Sequence, residues 1–193
     1  RRYDDNNLVV PISHTRDTVG PMGRTVADVA LLDSVITATP MATAEPLSGK
    51  RFGIPAAFWS GLDRDLETVT RAAREKLAAA GAFLVDVDMP GLFDLNAKVS
   101  FPVALHEPIA DIPAYLAASG ITTVTLADIA AKIASPDVKG AFGAITADAF
   151  GAQYQDAINV HRPALQKMYE AYFRDNNLDA ILFPTTVAPA PAI

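Results

Sequence analysis

Pro11-Ile-Ser-His-Thr-Arg-Asp-Thr-Val-Gly-Pro-Met-Gly-Arg-Thr-Val-Ala-Asp28 decides how the chain is read. It reads as a polar loop that turns at Gly20-Pro21 and runs into a helix. Thr25 has the character of an N-cap, and Asp28 stands three residues on, as in a capping box. A helix is expected over Thr25–Thr37. Its apolar residues, Val26, Val29, Ala30, Leu32, Val35 and Ile36, fall on so many sides that burial is expected. A loop so dense in hydrogen-bonding side chains does more than connect.

Before this stretch, residues 1–7 are polar and read as loop. Leu8-Val9-Val10 is a β-prone run stopped by Pro11. Residues 38–50, with Pro40, Pro46 and Gly49, read as loop, and Arg51–Pro55 as a short strand. The periodicity of Leu66, Val69, Ala73 and Leu77 predicts a helix over Asp63–Ala80, with acids at its N-terminal end and Gly81 stopping it. Residues 82–88 read as a strand. Strand, helix and strand in that order predict a parallel βαβ unit. Helices are expected near 92–105, 111–119 and 126–134, the last capped by Thr125 and Asp128 and ended by Ser135-Pro136. Residues 141–175 are expected to be mostly helical, broken, kinked or restarted at Pro163. Asn176-Asn177 is a stop, and Ala180–Phe183 a short buried strand.

Composition narrows the function. Half of the 193 residues are hydrophobic and 20% are charged, and the mean hydropathy is positive. No apolar run reaches the roughly 18 residues of a membrane span, so no membrane is expected, and the polar start lacks a signal-peptide pattern. A formal charge of −6 argues against nucleic acid as a partner. With no cysteine, thiol chemistry is excluded, which fits a cytoplasmic setting. The chain starts without Met and stops at Pro189-Ala-Pro-Ala-Ile193, in what reads as mid-loop. Both features, with the high apolar fraction, give the expectation of an incomplete protein.

No self-contained catalytic set is present. There is no Gly-x-Ser-x-Gly elbow, Gly-x-Gly-x-x-Gly or P-loop. His106-Glu107 lacks the second histidine of a zincin helix, so no metal is expected. Ser13, His14 and Asp17 bring a relay to mind, and His14 and Asp17 are spaced to form a polar pair. Adjacent loop residues rarely face each other as nucleophile and base must. The simpler reading is that His14, Arg16 and Asp17 hydrogen-bond the loop itself. Asp86-Val87-Asp88 puts two carboxylates on one strand face and reads as a solvated strand end.

The stretch Pro11–Leu32 resembles the amidase signature family, in which an Asp, then Gly-Pro, a small residue, Arg and a capped helix follow the catalytic segment. Arg162, Phe173 and Asp179-Ala-Ile-Leu-Phe-Pro-Thr-Thr186, followed by Ala188-Pro189, resemble that family's second strand and loop. The Ser-His-Thr-Arg-Asp wording and the Leu116–Ile145 region look most like mandelamide and indoleacetamide hydrolases. The resemblance implies an α/β fold, a mixed, mostly parallel sheet with surrounding helices, incomplete here. It implies one partial amidase domain over residues 1–193, with a helical, insert-like region at about 91–175.

It further implies hydrolysis of a small aryl or alkyl amide to a carboxylic acid and ammonia, without a cofactor, by a Ser–cis-Ser–Lys triad. The chain has no Gly-Gly or Ser-Ser pair, and all six lysines follow residue 49, past the point where the family's catalytic part ends. No catalytic residue is therefore assigned, and these 193 residues alone are expected to be inactive. Site support is expected from Asp17, Gly20, Pro21 and Arg24, and from Pro184, Thr185 and Thr186 beside the substrate pocket. Apolar residues around Phe101–Leu116 line an aryl-acid pocket or simply pack the core. Other readings are a non-catalytic, partner-binding remnant, the amidase subunit of a tRNA-dependent amidotransferase, and a homo-oligomer that covers an exposed apolar face.

Overall fold

A computed structural model describes residues 9–190. In chain order the first elements are α1 (Val26–Thr37), β1 (Arg51–Ile54), α2 (Arg64–Ala79) and β2 (Phe83–Asp86). Helices α3 (Leu92–His106), α4 (Pro108–Ala118), α5 (Leu126–Lys132) and α6 (Pro136–Thr146) follow. Then come α7 (Gly151–Asp156), a π-helical turn (Ala157–His161), α8 (Arg162–Asn176) and β3 (Ala180–Ile181). The chain forms two compact units. One holds residues 9–43 and Phe93–Pro163, the other Ala44–Leu92 and residues 164–190.

In the first unit the local signals act as expected. Thr25 and Asp28 close a full capping box on α1, and Thr125 and Asp128 close another on α5. Each box satisfies backbone N–H groups that a helix start leaves unpaired. Gly23 is tightly placed before α1: a Cβ there would lie 2.7 Å from the Cβ of Asp28. Helix α5 stops at Lys132, before the expected Ser135-Pro136, and that pair instead opens α6, with Pro136 in its first turn, where a missing N–H costs nothing. Val103, Ile112, Ile145 and Ala157 are buried.

Two expectations fail here. Helix α1 is not buried: Val26 is 86% and Val35 69% exposed, and its buried residue is Asp33. The described residues supply no layer against its apolar side. Val9 and Val10 form no strand and are exposed, having no ladder to join. Leu8 and the polar start lie outside the described residues.

The second unit is built on a three-stranded sheet in the order β2-β1-β3. Both pairings are parallel, Arg51 against Phe83 and Phe52 against Ala180. Helix α2 is the crossover from β1 to β2, as the βαβ reading requires. Asp63 caps α2 by accepting the Asp65 N–H at 2.9 Å. Gly81, at φ +89°, supplies the left-handed turn into β2. The inner face of α2 differs from expectation. Leu66, Thr70 and Leu77 are half-buried, whereas Val69 and Ala73 are exposed. Met89, Leu92 and Tyr172 form the core, with Phe58, Leu165 and Leu178 against them.

Strand β1 passes close to α8 because residue 53 is glycine. A Cβ at Gly53 would come within 2.6 Å of both Tyr172 Oη and Leu178 Cδ1. Tyr172 is fixed in that place, its hydroxyl donating to the Val87 carbonyl at 2.8 Å. Gly53→Ala should therefore destabilise by about 1–3 kcal/mol, the usual cost of overpacking. Urea unfolding checks this; an unchanged midpoint would show that the contact yields freely.

Candidate functional site

The opening loop belongs to the first unit, and one carboxylate organises it. Glu107 sits between α3 and α4, ahead of Pro108, and is 3% exposed. Its side chain accepts four hydrogen bonds. Ser13 Oγ donates a very short one. Thr15 Oγ1 donates at 2.8 Å, Thr15 N–H at 3.2 Å and Tyr154 Oη, from α7, at 2.9 Å. Burial would push the Glu107 carboxyl up, but the hydrogen bonds from Ser13, Thr15 and Tyr154 together outweigh it. They hold the group below its ordinary value, so it is a carboxylate at neutral pH. The Tyr154 hydroxyl, by burial and then by its bond to Glu107, is pushed up to about 12 and stays a donor.

Further contacts pin the loop. The His14 backbone N–H donates to Asp111 Oδ2 at 2.7 Å, and its ring Nδ1 lies 2.9 Å from both Asp111 oxygens. Arg16 donates to the Ser100 carbonyl at 2.7 Å, and Arg162 to the Thr15 carbonyl at 2.6 Å. Asp17 works within the loop: its Oδ2 accepts the N–H groups of Ile12 at 2.6 Å and Ser13 at 2.8 Å.

His14 and Asp17 do not pair. Of the three residues expected to bond the loop itself, only Asp17 does; His14 and Arg16 reach α4 and α3. The turn is also displaced. It spans His14–Arg16, where Arg16 N–H and Asp17 N–H donate to the Ser13 carbonyl. Gly20 and Pro21 form no hydrogen-bonded turn. Arg24 is exposed, at the bend before Thr25.

In the second unit Pro184 is half-buried, and Thr185 and Thr186 are exposed. Thr186 Oγ1 accepts from the Ala188 N–H at 3.1 Å and donates to its carbonyl at 2.6 Å. Asp86 pairs with Arg74 at 3.1 Å, and Asp88 accepts the Ala56 N–H at 2.6 Å, so these acids serve structure.

His14, Glu107 and Asp111 offer ligand atoms within 4.8 Å of one another. That spacing alone would admit a cation. The Glu107 oxygens, however, each already accept two hydrogen bonds from protein donors. The set is better described as a hydrogen-bond hub.

Residues 5–193 match the family described as Amidase. The chain belongs to the amidase signature family. It is 39% identical over 189 residues to an indoleacetamide hydrolase of Agrobacterium vitis, which covers 96% of this chain and 40% of that protein. It is 35% identical to a mandelamide hydrolase of Pseudomonas putida, over 92% of this chain and 37% of the relative. A peptide amidase solved with the competitive inhibitor chymostatin superposes with TM-score 0.69 at 25% identity, over 95% of this chain and 43% of that one. One subunit of the glutamyl-tRNA(Gln) amidotransferase of Thermotoga maritima, TM-score 0.58 at 20% identity, covers 90% of this chain and 38% of its own length and shares the fold. The chain thus spans about 40% of the length of the curated amidases it matches. Among the described residues no helix is long and apolar enough to cross a membrane.

Glu107, Asp111 and Tyr154 escape a reading of the sequence. The only hint is an acid in an apolar run, followed by proline. Glu107→Gln should lower stability at pH 7 by roughly 2–3 kcal/mol, since the amide meets donors with a donor and forfeits charge-assisted bonds. The carboxyl is depressed in the folded state. Its contribution is therefore full above the unfolded-state value of about 4.3 and is lost as pH falls through the folded value. The gap between parent and variant should narrow on acidification, as read by urea unfolding at pH 7 and below 4. A gap that widens in acid would contradict this sign.

Proposed function

We propose that this chain is the C-terminal part of an amide hydrolase that converts a small aryl or alkyl amide to a carboxylic acid and ammonia. The observation that carries the reading is the 39% identity to an indoleacetamide hydrolase across nearly the whole chain. In this proposal residues 1–193 are one partial amidase domain, with an insert-like helical region at about 91–175. The nucleophile and its base lie outside these residues, and no cofactor takes part.

The chain's own contribution is support. Acyl transfer needs reacting groups held within a fraction of an ångström, and a loop held from several sides pays its ordering entropy before substrate arrives. The loop around Asp17 has that character: Asp17 closes it internally, while Glu107, Asp111 and the Ser100 carbonyl hold it from the helices. Asp17, Gly20, Pro21 and Arg24 are supporting residues in this reading, as are Pro184, Thr185 and Thr186. A second reading, a remnant that binds a partner or a second copy of itself, is favoured by one observation, the exposed apolar side of α1.

The test is ammonia release from phenylacetamide and mandelamide. The mass-verified 193-residue chain should give none. A protein extended through the preceding reading frame should turn over, and in it Asp17→Ala should lower kcat/KM by roughly 100-fold through misplacement of the loop. Turnover by the 193-residue chain alone would contradict the division of labour. An inactive extended protein would favour the partner-binding reading.

A further inference from the structure

Asp148 stands just past α6 with φ +47°, in the left-handed region. Its N–H donates to the Ile145 carbonyl, and the Ala149 N–H to the Ala144 carbonyl, both at 3.0 Å, so the two close the end of α6. Glycine is the usual residue at such a helix end, because a side chain there is strained. An aspartate in that place goes against backbone preference, and the compensation is to be sought in its side chain.

That side chain crosses to α3. Asp148 Oδ1 accepts the Nδ1–H of His106, the last residue of α3, at 2.7 Å. A carboxylate only accepts, so the imidazole carries its proton on Nδ1. Gly151, at the start of α7, leaves room for this arrangement: a Cβ there would collide with the Asp148 carboxylate. One strained residue and one without a side chain thus serve a single contact.

The contact leads inward. The His106 ring lies against the Tyr154 ring, with centroids 4.3 Å apart and planes tilted by 32°, a close pairing of two flat rings. Tyr154 in turn donates from its hydroxyl to Glu107 Oε1 at 2.9 Å. Glu107 is the acceptor for Ser13 and Thr15 of the opening loop. His106 directly precedes Glu107 in the chain, so anchoring the imidazole steadies acceptor and donor together.

We propose that Asp148 is a positioning residue for the opening loop, acting through His106 and Tyr154. Asp148 fixes the imidazole, the imidazole sets the Tyr154 ring, and the Tyr154 hydroxyl completes the donor set of Glu107. Of those four hydrogen bonds it alone comes from outside the loop, so its placement is the part the loop cannot supply for itself. The hold on the loop stands on these contacts alone. Its bearing on catalysis rests on the amide-hydrolase reading.

The test measures amide hydrogen exchange in the 193-residue chain and its variants. Asp148→Gly removes the carboxylate and relieves the left-handed strain, so the fold should persist. The Thr15 amide should then exchange roughly five- to tenfold faster, the worth of one hydrogen bond, while the buried Val103 and Ile112 keep the parent's rates. The Glu107 carboxyl, followed by carbon-detected NMR, should titrate at higher pH in Asp148→Gly than in the parent. Asp148→Asn should restore the parent's behaviour, since its amide oxygen still accepts from His106 and asparagine tolerates the turn. Tyr154→Phe should raise Thr15 exchange at least as much, and adding Asp148→Gly to it should change nothing further, because both act at one bond. Unchanged Thr15 exchange in Asp148→Gly, equal acceleration at Val103 and Ile112, no rescue by asparagine, or additive effects in the double variant would overturn the assignment. Inactivity of an extended protein, with this exchange pattern intact, would support the positioning role and count against the hydrolase reading alone.

Discussion

A buried carboxylate must be neutralised, paired or solvated by donors, and Glu107 takes the last course. No arginine or lysine reaches it among the described residues. Four donors do, from Ser13, Thr15 (two) and Tyr154. Three of the four belong to the opening loop. The loop cannot leave without stranding the charge, and Glu107 cannot stay buried without the loop. That reciprocity ties a stretch with no regular secondary structure to the helices, where His14 and Arg16 also reach outward to Asp111 and Ser100.

Much of the fold is legible in the sequence because its signals are local. A capping box spans three residues, so Thr25 with Asp28 and Thr125 with Asp128 announce their helices, and the βαβ order leads to parallel strands. The failures share a different cause. Glu107 lies 92 residues from Thr15 and 47 from Tyr154, separations at which spacing carries no information. Asp17, spaced to pair with His14, instead folds its own loop. The Gly20-Pro21 turn is an expectation from residue preference alone, and the hydrogen-bonded turn stands at His14–Arg16 instead. Helix α1 shows the limit of composition. Its apolar residues suggest burial, yet burial needs a second surface, which a helix's own sequence does not report.

Membership in the amidase family and the mechanics of the loop bear on function from two sides. The proposed amide hydrolysis draws its class of reaction from the family's named relatives, and in that proposal the loop has a supporting role, since order established in the free protein lowers what substrate binding must provide.

Donors from the loop hold Glu107 ionised in a buried place, and on this the ordering of the loop depends. Carbon-detected NMR titration of the Glu107 side-chain carboxyl in the 193-residue chain tests it most directly. The carboxyl should titrate below the ordinary glutamate value of about 4.3. The amide signals of Ser13 and Thr15 should move on the same curve. Titration at or above that value, with those amides indifferent to it, would contradict the claim.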